Sequence, residues 1–218
     1  MDWFYWLIRG LVKWCFFRFW GGFRVMYSER FPKSGAVIVA SNHASFADPP
    51  AAACASPRQL RFMAQAQLFV PIFGALIRRL GSFPVHRGEA DTQAIRTALE
   101  CLAKGEALLV FPEGRRGDGK VLLPANKGIS LLARKSGAWI LPVGICNTHK
   151  KLPKGAKFAR FCRVTVVFGE PFRYEDVVAD SGGKSKEEFG DFLMERIAEL
   201  MREGGQEIEL SAKTTSQT

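Results

Sequence analysis

Short apolar runs alternate with segments of helical periodicity along this chain, and this alternation restricts its fold more than any other feature. AVIVA (36–40), ALLVF (107–111) and ILPVGI (140–145) carry no charged residue, which is typical of strands buried on both faces of a sheet. Strands separated by helices favour a single α/β domain with a largely buried mixed sheet flanked by helices. The predicted strands are FRVMYSE, AVIVA, RFMAQ, SFPV, ALLVF, ILPVGI and RVTVVFG, and the predicted helices span 90–104, 127–136 and 185–203.

The length and composition fit one folded domain with short terminal segments. At 218 residues, 47% hydrophobic and 24% charged, the chain can bury a core and is neither disordered nor fibrous. Its five cysteines show no CxxC spacing, which predicts reduced thiols rather than disulfides or a zinc site. We predict a helical segment at 1–22, a main domain at 23–203 and a polar, frayed tail at 204–218.

The segment 3–20, WFYWLIRGLVKWCFFRFW, is rich in aromatic side chains. Nine of its eighteen residues are aromatic, and four of the five tryptophans of the chain lie here. On a helix, Asp2, Arg9 and Lys13 fall on one narrow stripe, and most aromatic residues occupy the remaining surface. Cations interrupt the run before it reaches the roughly 18 apolar residues of a spanning helix. The acidic start and the lack of an A-x-A site argue against a signal peptide.

We interpret this N-terminal segment as a helix lying in a membrane interface, with tryptophans at headgroup depth and cations facing anionic lipid. The alternative is an ordinary helix that packs on the core. A second apolar stretch, 66–80, is uncharged as far as Ile77 and contains Pro71 and Gly74. These two residues predict a kinked or broken helix, which is a candidate for a second membrane contact.

The net charge of +10 is unevenly distributed along the chain. Residues 1–170 carry all of the basic excess, whereas residues 171–218 contain six basic and eleven acidic side chains. Such a field attracts nucleic acid, an anionic membrane or a phosphate-bearing substrate. The sequence has no RNP pattern, helix-turn-helix or zinc signature, and its aromatic residues cluster in one apolar segment. A nucleic-acid partner is therefore not expected.

His43 has a carboxylate close by in the sequence. It follows the AVIVA strand in SNHASFADPP, and Asp48 lies five residues later. Five residues correspond to about 140° around an ideal helix, so the two side chains would not face each other if this segment were helical. They can meet if 43–47 forms a turn, and Ser45 can then cap the next helix. A carboxylate that holds an imidazole in one tautomer makes it a general base. The alternative is a structural turn with a satisfied histidine.

A second polar loop, FPEGRR at 111–116, follows the ALLVF strand. It brings Glu113, Arg115 and Arg116 to a strand end, where open α/β sheets bind ligands. Arginine forks suit phosphate, and Gly114 allows the loop to approach an anion, although a solvated turn is the alternative. The overlapping GRRGDGK is not a P-loop, because valine replaces the required Ser or Thr and a proline follows. No G-x-S-x-G motif of a serine hydrolase is present.

Taken in order, these motifs resemble those of the glycerolipid acyltransferase family, and the resemblance covers roughly residues 30–145. Any one of the blocks is weak evidence, whereas four in order with similar spacing are strong evidence. The four are Asn42-His43 with Asp48 for N-H-x4-D, Gly81 with FPVHR ending at Arg87, FPEGRR for F-P-E-G-T-R, and a later part made of Lys127-Gly128 and ILPV at 140–143.

The resemblance implies an activity and a set of roles. His43 would take a proton from a glycerol hydroxyl whose oxygen attacks an acyl thioester directly, while Asp48 orients and stabilises the imidazole. It implies no metal, no cofactor and no covalent enzyme intermediate, with acyl-CoA or acyl carrier protein as the co-substrate. Arg116 would hold the phosphate of the lysophospholipid acceptor. The implied substrate-binding set is Asn42, Ser45, Arg87, Glu113, Gly114, Arg115, Arg116 and Lys127.

Two departures from the family pattern bear on the acceptor. Arg115 stands where the family has Thr, and Gln65 stands where many members have Lys. If Arg115 restores the charge, we expect 1-acyl-sn-glycerol-3-phosphate as acceptor and phosphatidic acid as product. Otherwise the acceptor is another lysolipid, such as lyso-ornithine lipid. A non-catalytic lipid-binding protein on the same fold is the remaining hypothesis. The expected location is the cytoplasmic face of the cell membrane, as a peripheral or monotopic protein on an anionic surface.

Overall fold

A computed structural model describes residues 3–86, 92–179 and 186–211 of the chain. Arg87, one of the predicted substrate-binding residues, lies outside the described residues. The strands are β1 (Phe23–Met26), β2 (Val37–Ser41), β3 (Leu60–Gln65), β4 (Ser82–Val85), β5 (Ala107–Val110), β6 (Val121–Leu122), β7 (Trp139–Cys146), β8 (Val164–Phe168) and β9 (Glu209–Leu210). The α-helices are α1 (Trp3–Leu11), α2 (Asp48–Ala55), α3 (Pro71–Arg79), α4 (Thr92–Ala103), α5 (Lys127–Ser136), α6 (Thr148–Lys151), α7 (Tyr174–Ala179) and α8 (Lys186–Glu203). A π-helix, Val12–Arg18, continues α1, and short 3-10 helices lie at Ser28–Arg30 and Ala66–Leu68.

Seven of the strands form one mixed sheet in the order β1-β8-β7-β2-β5-β3-β4. Neighbouring strands run parallel, apart from the antiparallel pair β7 and β8. Every residue of β2 and of β8 is buried, as expected of apolar runs covered on both faces. The predicted single α/β domain with a mixed sheet flanked by helices is confirmed.

Each face of the sheet carries its own hydrophobic core. On one face, Ile38 and Leu108 pack with the apolar sides of α4, α5 and α8. On the other face, Val37 and Leu109 pack with α2 and with Phe17 from the N-terminal segment. Side chains alternate across each strand, so consecutive apolar residues supply both cores. The functional loops consequently rest on a sheet that is held from two sides.

The N-terminal segment packs on the domain with one face and exposes the other. Tyr5 and Phe17 are buried. Arg9, predicted to face anionic lipid, instead donates from its guanidinium to the backbone oxygens of Ala53, Cys54 and Ser56. The prediction for Arg9 is wrong because the C-terminal end of α2 leaves unpaired carbonyl groups that a cation stabilises. The opposite face exposes Trp3, Leu7, Leu11 and Trp14.

The apolar stretch 66–80 is broken, as Pro71 and Gly74 predict. The 3-10 helix ends before α3, which begins at Pro71, and a Cβ at Gly74 would lie 2.6 Å from the Phe69 backbone. Helix α3 exposes Ile72 and Phe73. Within the described ranges, the structure contains no helix that is both long and apolar enough to cross a bilayer.

The chain remains packed beyond Gly204, where a frayed tail was predicted to begin. Strand β9 pairs in parallel with β6, and both Gln206 and Ile208 are buried. The side-chain amide of Gln206 donates to the oxygen of Gly119 and accepts from the nitrogen of Asn147. The prediction is wrong for 204–211 because an apolar residue and a bonded amide fasten this polar stretch. Residues 212–218 lie outside the described part of the chain.

Candidate active site

Two adjacent parallel strands carry the predicted site to the same edge of the sheet. Strands β2 and β5 are paired with Ala40 opposite Val110, so the residues that follow both strands emerge together. His43 lies just beyond β2, and Glu113 lies just beyond β5. The carboxyl edge of an open α/β sheet is where such folds bind ligands. The structure therefore brings together the two loops that are far apart in the sequence.

The side chains of His43 and Asp48 meet, as the sequence predicts for a turn between them. The chain turns at 45–47, and Nδ1 of His43 lies 2.8 Å from Oδ2 of Asp48. The same Oδ2 accepts hydrogen bonds from the backbone nitrogens of Ala44 and Ser45, both at 2.7 Å. Asp48 is fully buried and is the first residue of α2. These backbone donors fix the carboxylate, which in turn fixes the imidazole.

The ring of His43 is held on its flat face as well as at Nδ1. It stacks on Phe111, with ring centroids 3.9 Å apart and planes 12° apart, and its side chain is 17% exposed. Its Nε2 makes no hydrogen bond with any residue in the described part of the chain. Because the carboxylate favours a proton on Nδ1, the lone pair of Nε2 is free to accept one. An imidazole held in this way can act as a general base.

Glu113 ties the two loops to each other. One carboxylate oxygen accepts from the backbone nitrogen of His43 at 2.7 Å, and the other accepts from the nitrogen of Leu123 at 3.0 Å. The nitrogen of Gly117 adds a bond of 2.7 Å to the oxygen of His43. Burial raises the pKa of Glu113 to about 7, while its two backbone hydrogen bonds oppose that rise. Glu113 thus shapes the site from behind the base.

The raised pKa of Glu113 predicts a pH-dependent stability. Its ordinary pKa is 4.5, so the unfolded chain loses this proton at lower pH than the folded protein. Between these two pKa values, stability falls as pH rises. Glu113→Gln cannot ionise, and its amide nitrogen faces a backbone donor, which costs about 1–3 kcal/mol. At low pH we expect the wild type to have a larger free energy of unfolding than Glu113→Gln in urea denaturation. The difference between the two proteins should narrow as the pH rises through neutrality. A gap that widens with pH would show an ionised Glu113.

Arg116 and Arg115 differ in their surroundings although they are adjacent. The guanidinium carbon of Arg116 lies 3.8 Å from the ring centroid of Phe46, three residues after His43 in the turn. Arg116 is half-buried, whereas Arg115 and Gly114 are exposed. Gly114 has a φ of 67°, the left-handed conformation that glycine adopts at little cost. The loop therefore holds one arginine against the turn that follows His43 and presents the other to solvent.

Asn42 and Ser45, predicted to bind substrate, are buried and occupied within the protein. The Asn42 amide donates to the oxygen of Ile145 and accepts from its nitrogen. The Ser45 hydroxyl donates to the oxygen of Leu152 and accepts from the nitrogen of Ala47, so it does not cap α2. The substrate-binding prediction for both is corrected, because side chains with these partners position the turn around His43.

Lys127 lies at the start of the helix that follows the FPEGRR loop. It is the exposed first residue of α5, and the preceding Asn126 caps that helix. The nitrogen of Asn126 donates to the oxygen of Pro112, which fastens the start of α5 to the loop.

Among the described residues, no cluster of three or more His, Cys, Asp or Glu side chains is arranged to hold a metal ion.

An apolar cavity of about 300 Å³ opens beside the His43–Asp48 pair. Phe111, which stacks on His43, and Phe46, which stacks on Arg116, are part of its wall. The sequence motifs contain both phenylalanines, but their ring contacts depend on the packing of the two loops. The remaining wall comes from the N-terminal segment, α2, β3, β5, α3 and β4: Tyr5, Ile8, Arg9, Val12, Pro49, Pro50, Ala53, Cys54, Phe62, Met63, Ala64, Leu68, Phe73, Ile77, Leu80, Ser82 and Leu109.

Comparison with known proteins agrees with this geometry. The family model described as Acyltransferase matches residues 22–146. The chain is 24% identical over 182 residues to a 1-acyl-sn-glycerol-3-phosphate acyltransferase of Bacillus subtilis, covering 83% of this chain and 88% of that protein. It is 31% identical over 133 residues to a lyso-ornithine lipid O-acyltransferase of Pseudomonas aeruginosa, covering 60% and 50%. The crystal structure of PlsC, the 1-acyl-sn-glycerophosphate acyltransferase of Thermotoga maritima, matches 92% of this chain and 78% of that one, with 30% identity and a TM-score of 0.76.

The fold, the paired loops and the cavity define a group-transfer enzyme built on an α/β sheet. The chain belongs to the Acyltransferase family, and its enzyme class is that of the O-acyltransferases.

Proposed function

We propose that this protein transfers an acyl chain from acyl-CoA or acyl carrier protein to the free hydroxyl of 1-acyl-sn-glycerol-3-phosphate, giving phosphatidic acid. The observation that carries the proposal is the 2.8 Å contact between Nδ1 of His43 and Asp48, in a ring that stacks on Phe111 in the wall of an apolar cavity. A lipid-binding protein without catalysis has no need of a positioned base, so this pair favours the enzyme.

The reaction follows from the position of Nε2. The acceptor hydroxyl passes its proton to Nε2 while its oxygen attacks the thioester carbonyl carbon. The buried carboxylate of Asp48 stabilises the imidazolium that forms. The tetrahedral intermediate then collapses, the carbon–sulfur bond breaks, and the departing thiolate takes the proton from Nε2. The products are the ester and the free thiol, and His43 returns to its starting state.

The apolar cavity suits the acyl chain of a substrate. Its walls are almost entirely hydrocarbon and aromatic, and they reach the ring of Phe111 against which His43 stacks. An acyl chain seated there places its carbonyl carbon near Nε2 without a polar group being buried unpaired. The thioester end can remain outside the cavity, where the carrier is accommodated.

The acceptor headgroup is assigned by Arg116 in this proposal. A guanidinium recognises phosphate with two parallel hydrogen bonds, and Arg116 lies on the loop that is bonded to His43. The Pseudomonas aeruginosa relative supports lyso-ornithine lipid as a second candidate acceptor. Purified protein should be incubated with acyl-CoA or acyl carrier protein and a panel of lysolipids, and the products identified. Phosphatidic acid is the expected product, and no product from any acceptor would contradict the enzyme assignment.

The N-terminal segment is proposed to hold the enzyme on an anionic bilayer at the cytoplasmic face. Four apolar residues of this segment follow helical spacing and are exposed together: Trp3, Leu7, Leu11 and Trp14, here called the N-terminal stripe. A tryptophan-rich apolar stripe of this kind lies in the interface plane of a membrane. The exposed residues of α3 extend the apolar surface, because Arg79 at the end of α3 lies over the rings of Trp3 and Phe4.

This membrane role is tested with Leu7→Ser/Leu11→Ser rather than by deleting the segment. Deletion would remove Tyr5 and Phe17 from the core and Arg9 from the end of α2. The double serine variant changes only exposed positions, so the fold should survive. We expect its partition onto anionic vesicles to fall about tenfold in a flotation assay, since two apolar side chains no longer enter the interface. Unchanged flotation would exclude the stripe as an anchor.

A further inference from the structure

The loop at residues 152–163, here called the basic loop, combines exposed cations with exposed phenylalanines. Phe158 is 83% exposed and Phe161 is 80% exposed. No Asp or Glu occurs anywhere between Gly119 and Gly169. The four cations of the loop follow a spacing of three and are all exposed: Lys154, Lys157, Arg160 and Arg163. Large apolar side chains so fully exposed mark a surface that meets a partner.

The basic loop is fastened to the end of the N-terminal segment. The indole nitrogen of Trp20 donates to the oxygen of Ala159 at 3.2 Å. The ammonium group of the fully buried Lys151 donates to the oxygen of Trp20 and, at 3.4 Å, to the oxygen of Cys162. A Cβ at Gly21 would lie 2.5 Å from the Cys162 backbone nitrogen, so the two chain segments are in close backbone contact.

These contacts make one continuous surface. Phe19 and Trp20 are exposed at the end of the N-terminal segment, directly beside the loop that carries Phe158 and Phe161. The Ser45 hydroxyl donates to the oxygen of Leu152, so the loop begins at the turn that holds His43. The surface therefore adjoins the site where an acceptor lipid has to arrive.

We propose that the basic loop is a second membrane-binding element, with Phe158 and Phe161 entering the interface of an anionic bilayer and its cations contacting lipid phosphates. Cations and phenylalanines alternate from Lys157 to Arg163. A partner of this loop must therefore present negative charge and an apolar phase side by side, as the interface of an anionic bilayer does. The inference rests on the membrane association proposed above, and it adds a site that lies outside the N-terminal stripe. Two separate contacts fix the orientation of the enzyme on the membrane, whereas one leaves it free to rotate.

Flotation of the full-length protein with two kinds of vesicle tests this proposal. Vesicles of phosphatidylcholine are compared with vesicles in which a quarter of the lipid is phosphatidylglycerol. We expect Phe158→Ser/Phe161→Ser to lower the partition coefficient about tenfold on the mixed vesicles, and Phe158→Leu/Phe161→Leu to retain most of it. Lys154→Gln/Lys157→Gln should lose about tenfold on anionic vesicles and almost nothing on neutral ones.

A matched control removes the same charge elsewhere. Lys104 directly follows α4, and Lys135 lies in the last turn of α5. Both are exposed, at the edge of the sheet opposite the basic loop. Lys104→Gln/Lys135→Gln should therefore float like the wild type. An equal loss in this control would show that net charge alone drives binding and would overturn the proposal.

The remaining outcomes separate this inference from the proposed function. If the wild type floats and the loop variants float equally well, the basic loop is not a membrane contact, and the N-terminal stripe remains the anchor. If the wild type does not float, membrane association itself is wrong, and this inference fails with it. If the variants float normally but lose transfer from acyl carrier protein while keeping transfer from acyl-CoA, the loop docks a carrier protein and the proposal is overturned.

Discussion

Replacing His43 by alanine is expected to lower kcat for acyl transfer by about 10²- to 10⁴-fold while leaving the protein folded. The imidazole carries the free nitrogen Nε2 and stacks on Phe111 in the cavity wall, and its loss removes the acceptor for the hydroxyl proton. The side chain is largely covered by Phe111 but makes its one described side-chain hydrogen bond to Asp48, so the scaffold should persist. Initial rates at saturating acceptor and donor, with thermal unfolding as the folding check, measure the effect.

Asp48→Asn separates orientation of the base from simple packing. Asparagine can still accept from the nitrogens of Ala44 and Ser45, but it carries no charge to stabilise the imidazolium. We expect kcat to fall by orders of magnitude with little change in KM. Glu175→Gln, which neutralises an exposed carboxylate on α7, is the matched control and should keep its rate. Near wild-type turnover in a folded His43→Ala protein would exclude the mechanism.

The sheet could be predicted from the sequence because its signal is local. AVIVA and ALLVF are apolar on consecutive positions, and RVTVVFG is apolar apart from Arg163 and Thr165; each becomes a strand that is covered on both faces or nearly so. The strand order and the antiparallel arrangement of β8 were not predictable in this way. They depend on pairing between segments far apart in the chain, and periodicity carries no information about which strands become neighbours.

The N-terminal segment shows why amphipathic patterns are ambiguous between a core and a membrane. The sequence offered a lipid-facing helix or a core-packing helix, and the segment packs one face while exposing the other. Arg9 appeared suited to lipid phosphate in a helical projection. Its partners are carbonyl groups 44 to 47 residues away, which no local pattern reveals. The burial of Gln206 and Ile208 was missed for the same reason.

In the site, residues that carry unusual chemistry were easier to predict than residues that support them. The spacing of His43 and Asp48 made their pairing foreseeable, since only a turn lets them meet. Asn42 and Ser45 belong to the same motif, yet they bond to Ile145 and Leu152, which later strands and loops supply. A motif thus identifies the loop, while the role of each member depends on what the fold places against it.

Arg116→Ala is expected to raise KM for 1-acyl-sn-glycerol-3-phosphate by about 10- to 100-fold, with a much smaller effect on KM for the thioester. The guanidinium is held over Phe46, on a loop bonded to the backbone of His43. A charge-assisted contact to the acceptor phosphate would be lost, while the base and the acyl cavity remain. Arg134→Ala, at an exposed position on α5, removes the same charge away from the site and should leave both KM values unchanged.

Arg115 and Gln65, the two departures from the family pattern, allow a more specific test of the acceptor headgroup. A phosphomonoester carries up to two negative charges and is best bound by more than one cation. If Arg115 supplies the second, Arg115→Thr should raise KM for the phosphate acceptor, and adding Gln65→Lys should restore part of the loss as a non-additive pair. An acceptor with an amino-acid headgroup offers one carboxylate charge in place of a phosphate that carries up to two, so its KM should depend less on a second arginine. Should Arg116→Ala leave KM for the phosphate acceptor unchanged while a lyso-ornithine lipid proves the better substrate, the phosphatidic acid assignment would fall and the acyl-transfer mechanism at His43 would stand.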